Sequence, residues 1–197
     1  PATNVKVLLD SEEEKGSPGI HAVASANKTL LETDAIIIHD GPRHQSERPT
    51  IIFGNRGATQ ITLVVHGPKQ PLHSGHFGNY VPNPAIRLAR LIASMKDDQG
   101  RVTIAGYYDR IKLSDAEGKI LADTADDEVA LRRRAGIKVA ETVGGNLQEA
   151  IQYPSLNVRG MAAASVGEKA TNIIPHQAIA DFDLRTTPEA PPEYLFS

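Results

Sequence analysis

Two short apolar runs stand near the start of the chain, Val5 to Leu9, broken only by Lys6, and Ala35-Ile36-Ile37-Ile38. Runs of this length bounded by polar clusters suit strands covered on both faces of a parallel sheet. Between them Ile20, Val23, Ala24, Leu30 and Leu31 roughly follow the helical period, which predicts a helix from Pro18 to about Leu31. Strand, helix and strand in close succession define a βαβ unit.

The pattern changes after the Gly54-Asn55-Arg56-Gly57 joint. From Gly57 to His66, Ile61, Leu63 and Val65 alternate with Thr62 and Val64, which predicts a strand with one face on a helix. Asn83-Pro84 is a cap followed by proline at the first helical position, and Leu88, Leu91, Ile92 and Met95 then mark an amphipathic helix. Residues 101 to about 154 read as an insertion with a short strand at Val102 to Ala105 and charged helices around Asp115 to Asp123 and Asp126 to Arg134. Two more strands are expected, Leu156 to Ser165 and Ala178 to Arg185, the second with Ala178, Ala180, Phe182 and Leu184 on one face. The expected class is α/β, with residues 1–55 a βαβ segment of a mixed or parallel sheet and residues 56–197 an α+β unit.

Composition narrows the function. At 197 residues the chain can bury roughly 70% of its unfolded surface without disulfides or other staples. Twenty-one Lys and Arg against 24 Asp and Glu, with five Tyr, four Phe and no Trp, leave neither a basic footprint nor a stacking platform for nucleic acid. The absence of cysteine removes thiolate nucleophiles and thiolate metal sites, so a metal would have to be held by His, Asp and Glu. No apolar run reaches the ~20 residues of a membrane-spanning helix, and the opening Pro1-Ala2-Thr3-Asn4 is not signal-like. A cytoplasmic protein without a membrane or nucleic-acid partner is the expectation.

Candidate chemistry lies in four places. Glu12-Glu13-Glu14-Lys15-Gly16-Ser17 follows an expected parallel strand at its carboxyl end, where open α/β sheets bind ligands. Neighbouring carboxylates there can divide cation binding and proton transfer between them, or can simply favour a helix N-terminus. Asp40 ends the next strand, as a ligand or as a turn residue before Gly41. His73 lies in the glycine-rich loop Leu72-His73-Ser74-Gly75-His76-Phe77-Gly78, the kind of segment that carries function more often than a core does. His21, His44, His66 and His176 lack a partner pattern and read as surface or structural. Asn172 and Arg185 offer an amide donor and a guanidinium fork for a carboxylate or oxyanion, or else a turn residue and a surface cation.

Taken in order, Glu-Glu-x-Gly-Ser at Glu13 to Ser17, the acid Asp40, Leu-His-Ser-Gly at Leu72 to Gly75, and Asn-x-Ile-Pro followed by Asp-x-Arg at Asn172 to Arg185 resemble one family. It is the dinuclear zinc metallopeptidases and amidohydrolases of carnosinase, aminoacylase, acetylornithine deacetylase and glutamate carboxypeptidase, with Leu-His-Ser-Gly most similar to the carnosinase-type dipeptidases. The resemblance implies that Glu13 is the general base, that Glu14 and Asp40 are metal ligands, and that His73 reaches the partner subunit's active site. It further implies that Asn172 and Arg185 bind the substrate's backbone and carboxylate. Two divalent ions are implied, zinc first, with manganese or cobalt accepted by the same ligand types. Residues 56–197 then correspond to a ferredoxin-like lid and dimerisation domain carrying the insertion at about 101–154, and the assembly to a homodimer through that lid.

The implied substrate is a dipeptide, or alternatively an N-acyl amino acid; a noncatalytic dimerisation module is the reading from a different class. The family's early His-x-Asp segment, bridging Asp and late His are missing, and so are the lid's second helix and last strand. An internal fragment, inactive by itself, is therefore expected.

Overall fold

A computed structural model describes residues 4–41, 44–50, 52, 54–124 and 126–197, which leaves the Pro1-Ala2-Thr3 opening outside the described residues. The chain divides into two compact units, residues 1–42 and 43–197.

In the first unit a 3₁₀ turn at Glu13–Lys15 is followed by helices α1 (Ile20–Ala26) and α2 (Lys28–Leu31). The single helix expected from Pro18 to Leu31 is broken at Asn27, whose side-chain amide donates to the Val23 carbonyl at 2.8 Å. This is the local competition with the helical ladder that makes Asn a poor interior residue. Neither apolar run forms a ladder: the stretches 5–9 and 35–38 carry no strand pairing, and Val7 and Ile37 are 76% and 80% exposed. The expected parallel pairing is thus not realised within this unit. A parallel strand needs neighbours whose amides and side chains cover it, and two short runs cannot serve each other in that way.

The second unit bears out the α+β expectation. It contains β1 (Gly57–His66), β2 (Leu72–His73), α3 (Ser74–Phe77), α4 (Pro84–Ala93), α5 (Asp115–Asp123), α6 (Glu128–Ala135), α7 (Leu147–Ala150), β3 (Ser155–Ala162), β4 (Ile173–Ile174), β5 (Gln177–Thr186) and α8 (Pro192–Leu195). The main sheet has the order β1-β5-β3, antiparallel throughout, with Gly57 opposite Thr186 and His66 opposite Gln177. Strand, helix, strand, strand, with the third strand central, is the βαββ portion of a ferredoxin-like fold.

Period-two alternation places Ala178, Ala180, Phe182 and Leu184 of β5 on the covered face, none more than 2% exposed. Leu88 of α4 joins them, while Ile92, Met95, Ile61, Leu63 and Val65 pack around the cluster. Asn83 caps α4 by accepting from the Ala85 amide at 2.9 Å, and Pro84 occupies the first turn, as the sequence predicts. Leu91 departs from the expected stripe and is 42% exposed. In the insertion the strand expected at Val102 to Ala105 is reduced to one bridge, Lys96 to Val102. Helix α5 has the expected bounds because Ser114 and Glu117 form a reciprocal capping box.

Candidate active site

The Glu13–Lys15 turn is exposed and tightly wound. The Lys15 and Ser17 amides donate to the Glu12 carbonyl at 2.9 and 3.0 Å, and the Gly16 amide donates to the Glu13 carbonyl at 2.8 Å. Gly16 supplies the left-handed φ of 81° that ends the turn, and Ser17 follows at 51°, an uncommon value for a residue with a Cβ. Asp10 braces the loop through its carboxylate, which accepts from the Glu12 amide at 2.9 Å. Hydrogen bonds from the Ser17 hydroxyl and then the Glu12 amide hold its carboxyl below the usual carboxylate range. In the same unit Asp40 accepts from the Gly41 amide at 2.7 Å, and Gly41 has φ of 93°, so the turn geometry expected there is present.

His73 is fixed from three directions. It ends β2, opposite Ile173 of β4, while neighbouring Leu72 lies opposite buried Ile174. The Ser74 amide donates to the Asn172 carbonyl at 2.9 Å, so the loops carrying His73 and Asn172 are joined through their backbones. The His73 ring in turn accepts from the Gly75 amide through Nδ1 at 3.0 Å, and the His76 ring packs against it at 4.8 Å between centroids. Two of the sequence candidates, His73 and Asn172, are thereby brought together.

Arg185 lies elsewhere. Eight residue steps separate it from Gln177 at the start of β5, about 27 Å of strand. Its Nε forms an ion pair with the Asp183 carboxylate at 3.3 Å. Arg56 was read only as part of a joint, yet the register puts it diagonally across from Arg185, since Ala58 pairs with Arg185. Although exposed as a whole residue, Arg56 lines a cleft of about 180 Å³ with Tyr108, Pro154 and Ser155. Burial first, and then the Arg185 charge, lower its pKa, with Asp183 opposing. A cation one residue before a strand whose partner strand carries Arg next to its end was the available sequence signal.

A second polar centre in this unit was also missed. His44, read as surface or structural, donates through Nε2 to Asp126 at 2.9 Å and is linked through Nδ1 to the Ser46 hydroxyl at 2.7 Å. Gln45 and Gln148 donate to the same carboxylate, Gln148 at 2.7 Å. Nothing in the spacing of His44 and Asp126, 82 residues apart, announces the pair.

The described residues contain no group of three or more His, Cys, Asp and Glu that could hold a metal ion. The dinuclear site implied by the motifs is therefore not completed by them. No helix among them is long and apolar enough to cross a membrane.

The fold is an α+β domain built on a three-stranded antiparallel sheet covered by α4. Residues 53–197 match the peptidase dimerisation domain family (M20_dimer), and the chain belongs to that family. Among similar proteins, the cysteinylglycine-S-conjugate dipeptidase of Corynebacterium striatum is 33% identical over 187 residues, which cover 92% of this chain and 39% of that protein. The Cys-Gly metallodipeptidase DUG1 of Saccharomyces cerevisiae is 28% identical, with coverage of 98% and 41%. The crystal structure of human carnosine dipeptidase 1 superposes with a TM-score of 0.75 at 25% identity, covering 93% of this chain and 40% of that one. The chain thus spans about two fifths of the length of the curated relatives it matches.

Proposed function

We propose that this chain is the lid-bearing part of a metal-dependent dipeptidase, with residues 1–55 belonging to the catalytic domain and residues 56–197 forming the lid. The observation that carries the reading is the junction of the His73 and Asn172 loops through β2, β4 and the Ser74 amide. That junction brings the backbones of His73 and Asn172 together, and an imidazole N–H with a side-chain amide is the equipment needed for an amide carbonyl whose oxygen becomes negative.

Glu13 is the general base. It takes a proton from the attacking water and returns it to the leaving nitrogen. Glu14 and Asp40 are the carboxylates that the chain contributes to divalent ions, zinc ahead of manganese or cobalt. His73 donates to the developing oxyanion, and Arg185 receives the substrate carboxylate. In one chain the His73 loop and Arg185 are separated by the length of β5. A homodimer in which each lid serves the other subunit's site accounts for that separation.

The test is hydrolysis by the full-length protein, after chelation, of a β-alanyl dipeptide and an N-acetyl amino acid. Zinc or manganese should restore dipeptide cleavage, and Glu13→Gln should lower kcat by about 100-fold or more. Cleavage of the N-acetyl substrate alone would move the substrate to N-acyl amino acids. Cleavage of neither under any metal would leave a noncatalytic dimerisation module.

A further inference from the structure

The His73 ring has a partner whose chemistry is unambiguous. A backbone amide can only donate, so the bond from the Gly75 N–H to His73 Nδ1 at 3.0 Å requires that Nδ1 carry the lone pair. In the neutral ring the proton must then sit on Nε2. We propose that Gly75 is the positioning residue for His73: its amide selects the Nε2–H tautomer, and its missing side chain lets the ring approach the backbone closely enough to be held. The inference rests on the reading of His73 as an oxyanion donor and specifies how it is kept ready to donate.

The steric half of the argument is independent of the hydrogen bond. A Cβ built on Gly75 would stand 2.9 Å from Cε1 and 3.0 Å from Nδ1 of His73, closer than carbon contacts permit. Among the described residues, and apart from Gly75's own neighbours and helix backbone, the ring is the only group that such a Cβ meets, so a methyl there pushes the imidazole off its bond. Nor does α3 need glycine for its own sake. Gly75 is not at positive φ, and alanine is the better helix former by about 1 kcal/mol. The His73 backbone cannot follow the ring, because β2 is paired to β4 and the Ser74 amide is tied to Asn172. His76, packed at 4.8 Å and tilted by 46°, further limits where the ring can turn. Glycine at this position therefore serves the imidazole rather than the turn.

The experiment is nitrogen NMR on this chain above the titration range of histidine, with tautomers assigned from ring nitrogen shifts. The wild-type chain should show His73 as the Nε2–H tautomer with a scalar coupling across the bond between the Gly75 amide nitrogen and Nδ1. Gly75→Ala should abolish the coupling and return the ring to the tautomer mixture of free histidine, with circular dichroism and Tm unchanged. Absence of the coupling in the wild-type chain overturns the proposal, even if the variant fails to fold. Retention of both coupling and tautomer in Gly75→Ala overturns it as well. A clamped tautomer in a full-length protein that hydrolyses no amide would instead sink the dipeptidase reading and leave the clamp standing.

Discussion

The Tyr107 hydroxyl is buried without a hydrogen-bond partner among the described residues, although the ring belongs to the core around Leu88 and Phe182. Burial, and then the neighbouring Tyr108, push its pKa up, so the phenol stays neutral over the working pH range. An unsatisfied buried hydroxyl forgoes its water bonds at about 1–3 kcal/mol, and removing the oxygen recovers part of that cost. Tyr107→Phe should therefore raise the free energy of urea unfolding by about 1 kcal/mol at unchanged m-value. A loss of stability of similar size would mean that the hydroxyl does have a partner. Its neighbour Tyr108 shows the ordinary solution, accepting from the Val102 amide at 3.0 Å. Neither environment was legible in the sequence, because a Tyr-Tyr pair inside an irregular insertion has no periodicity to reveal which ring turns inward. By contrast Ala178, Ala180, Phe182 and Leu184 were legible, because their spacing of two matches the pleat itself. His73 and Asn172 were legible as loop residues of unusual chemistry, but their junction required the β2–β4 pairing, which two residues per strand cannot signal.

At the scale of elements, the boundaries that the sequence reveals are those with a side-chain cap. Helices α4 and α5 begin where Asn83 and Ser114 accept from the chain ahead, and Asn83 with its following proline was found in the sequence. The insertion is held by something less visible. Asp126, whose side chain is 6% exposed, gathers donors from His44 and Gln45 on the segment before β1 and from Gln148 on α7. Burial alone would raise its pKa. The hydrogen bonds from Gln148, Gln45 and His44, with the His44 charge when that ring is protonated, outweigh burial and leave it lowered. A carboxyl whose folded pKa lies below its unfolded value, near 3.9, contributes stability that is present above that value. The contribution fades as pH falls through the folded pKa. Asp126→Ala leaves three donors unpaired and releases the 44–50 segment. Endoproteinase Glu-C should then cut after Glu47 several-fold faster than in wild type at neutral pH, and the difference should shrink under an acid-tolerant protease as pH falls below the unfolded carboxylate value near 3.9. Equal cleavage rates at neutral pH would show that the segment is held by other contacts.

Across the whole molecule, the two units differ in how far they satisfy themselves. The second has a core, a capped helix and a sheet whose covered face is closed by α4. The first leaves Val5, Val7, Leu9 and Ile36 to Ile38 largely exposed, an amount of apolar surface that a folded unit normally covers. Sequence reasoning found these runs but could not supply their neighbours, since pairing partners of a parallel strand are set by the sheet and not by the strand. The same incompleteness governs metal affinity. A structural zinc site closes four ligands around the ion and can yield about 10–16 kcal/mol of binding free energy. This chain offers the Glu14 and Asp40 carboxylates in its first unit, and no three-ligand cluster occurs among the described residues. Two carboxylates on exposed turns must give up hydration and loop freedom without the remaining ligands to share the ion. Calorimetric titration of the chelator-stripped chain with zinc should therefore give a Kd weaker than about 1 µM, less than about 8 kcal/mol. Glu14→Gln and Asp40→Asn should change it by no more than a few-fold. Two sub-micromolar sites lost in either variant would mean that the chain assembles its metal centre unaided.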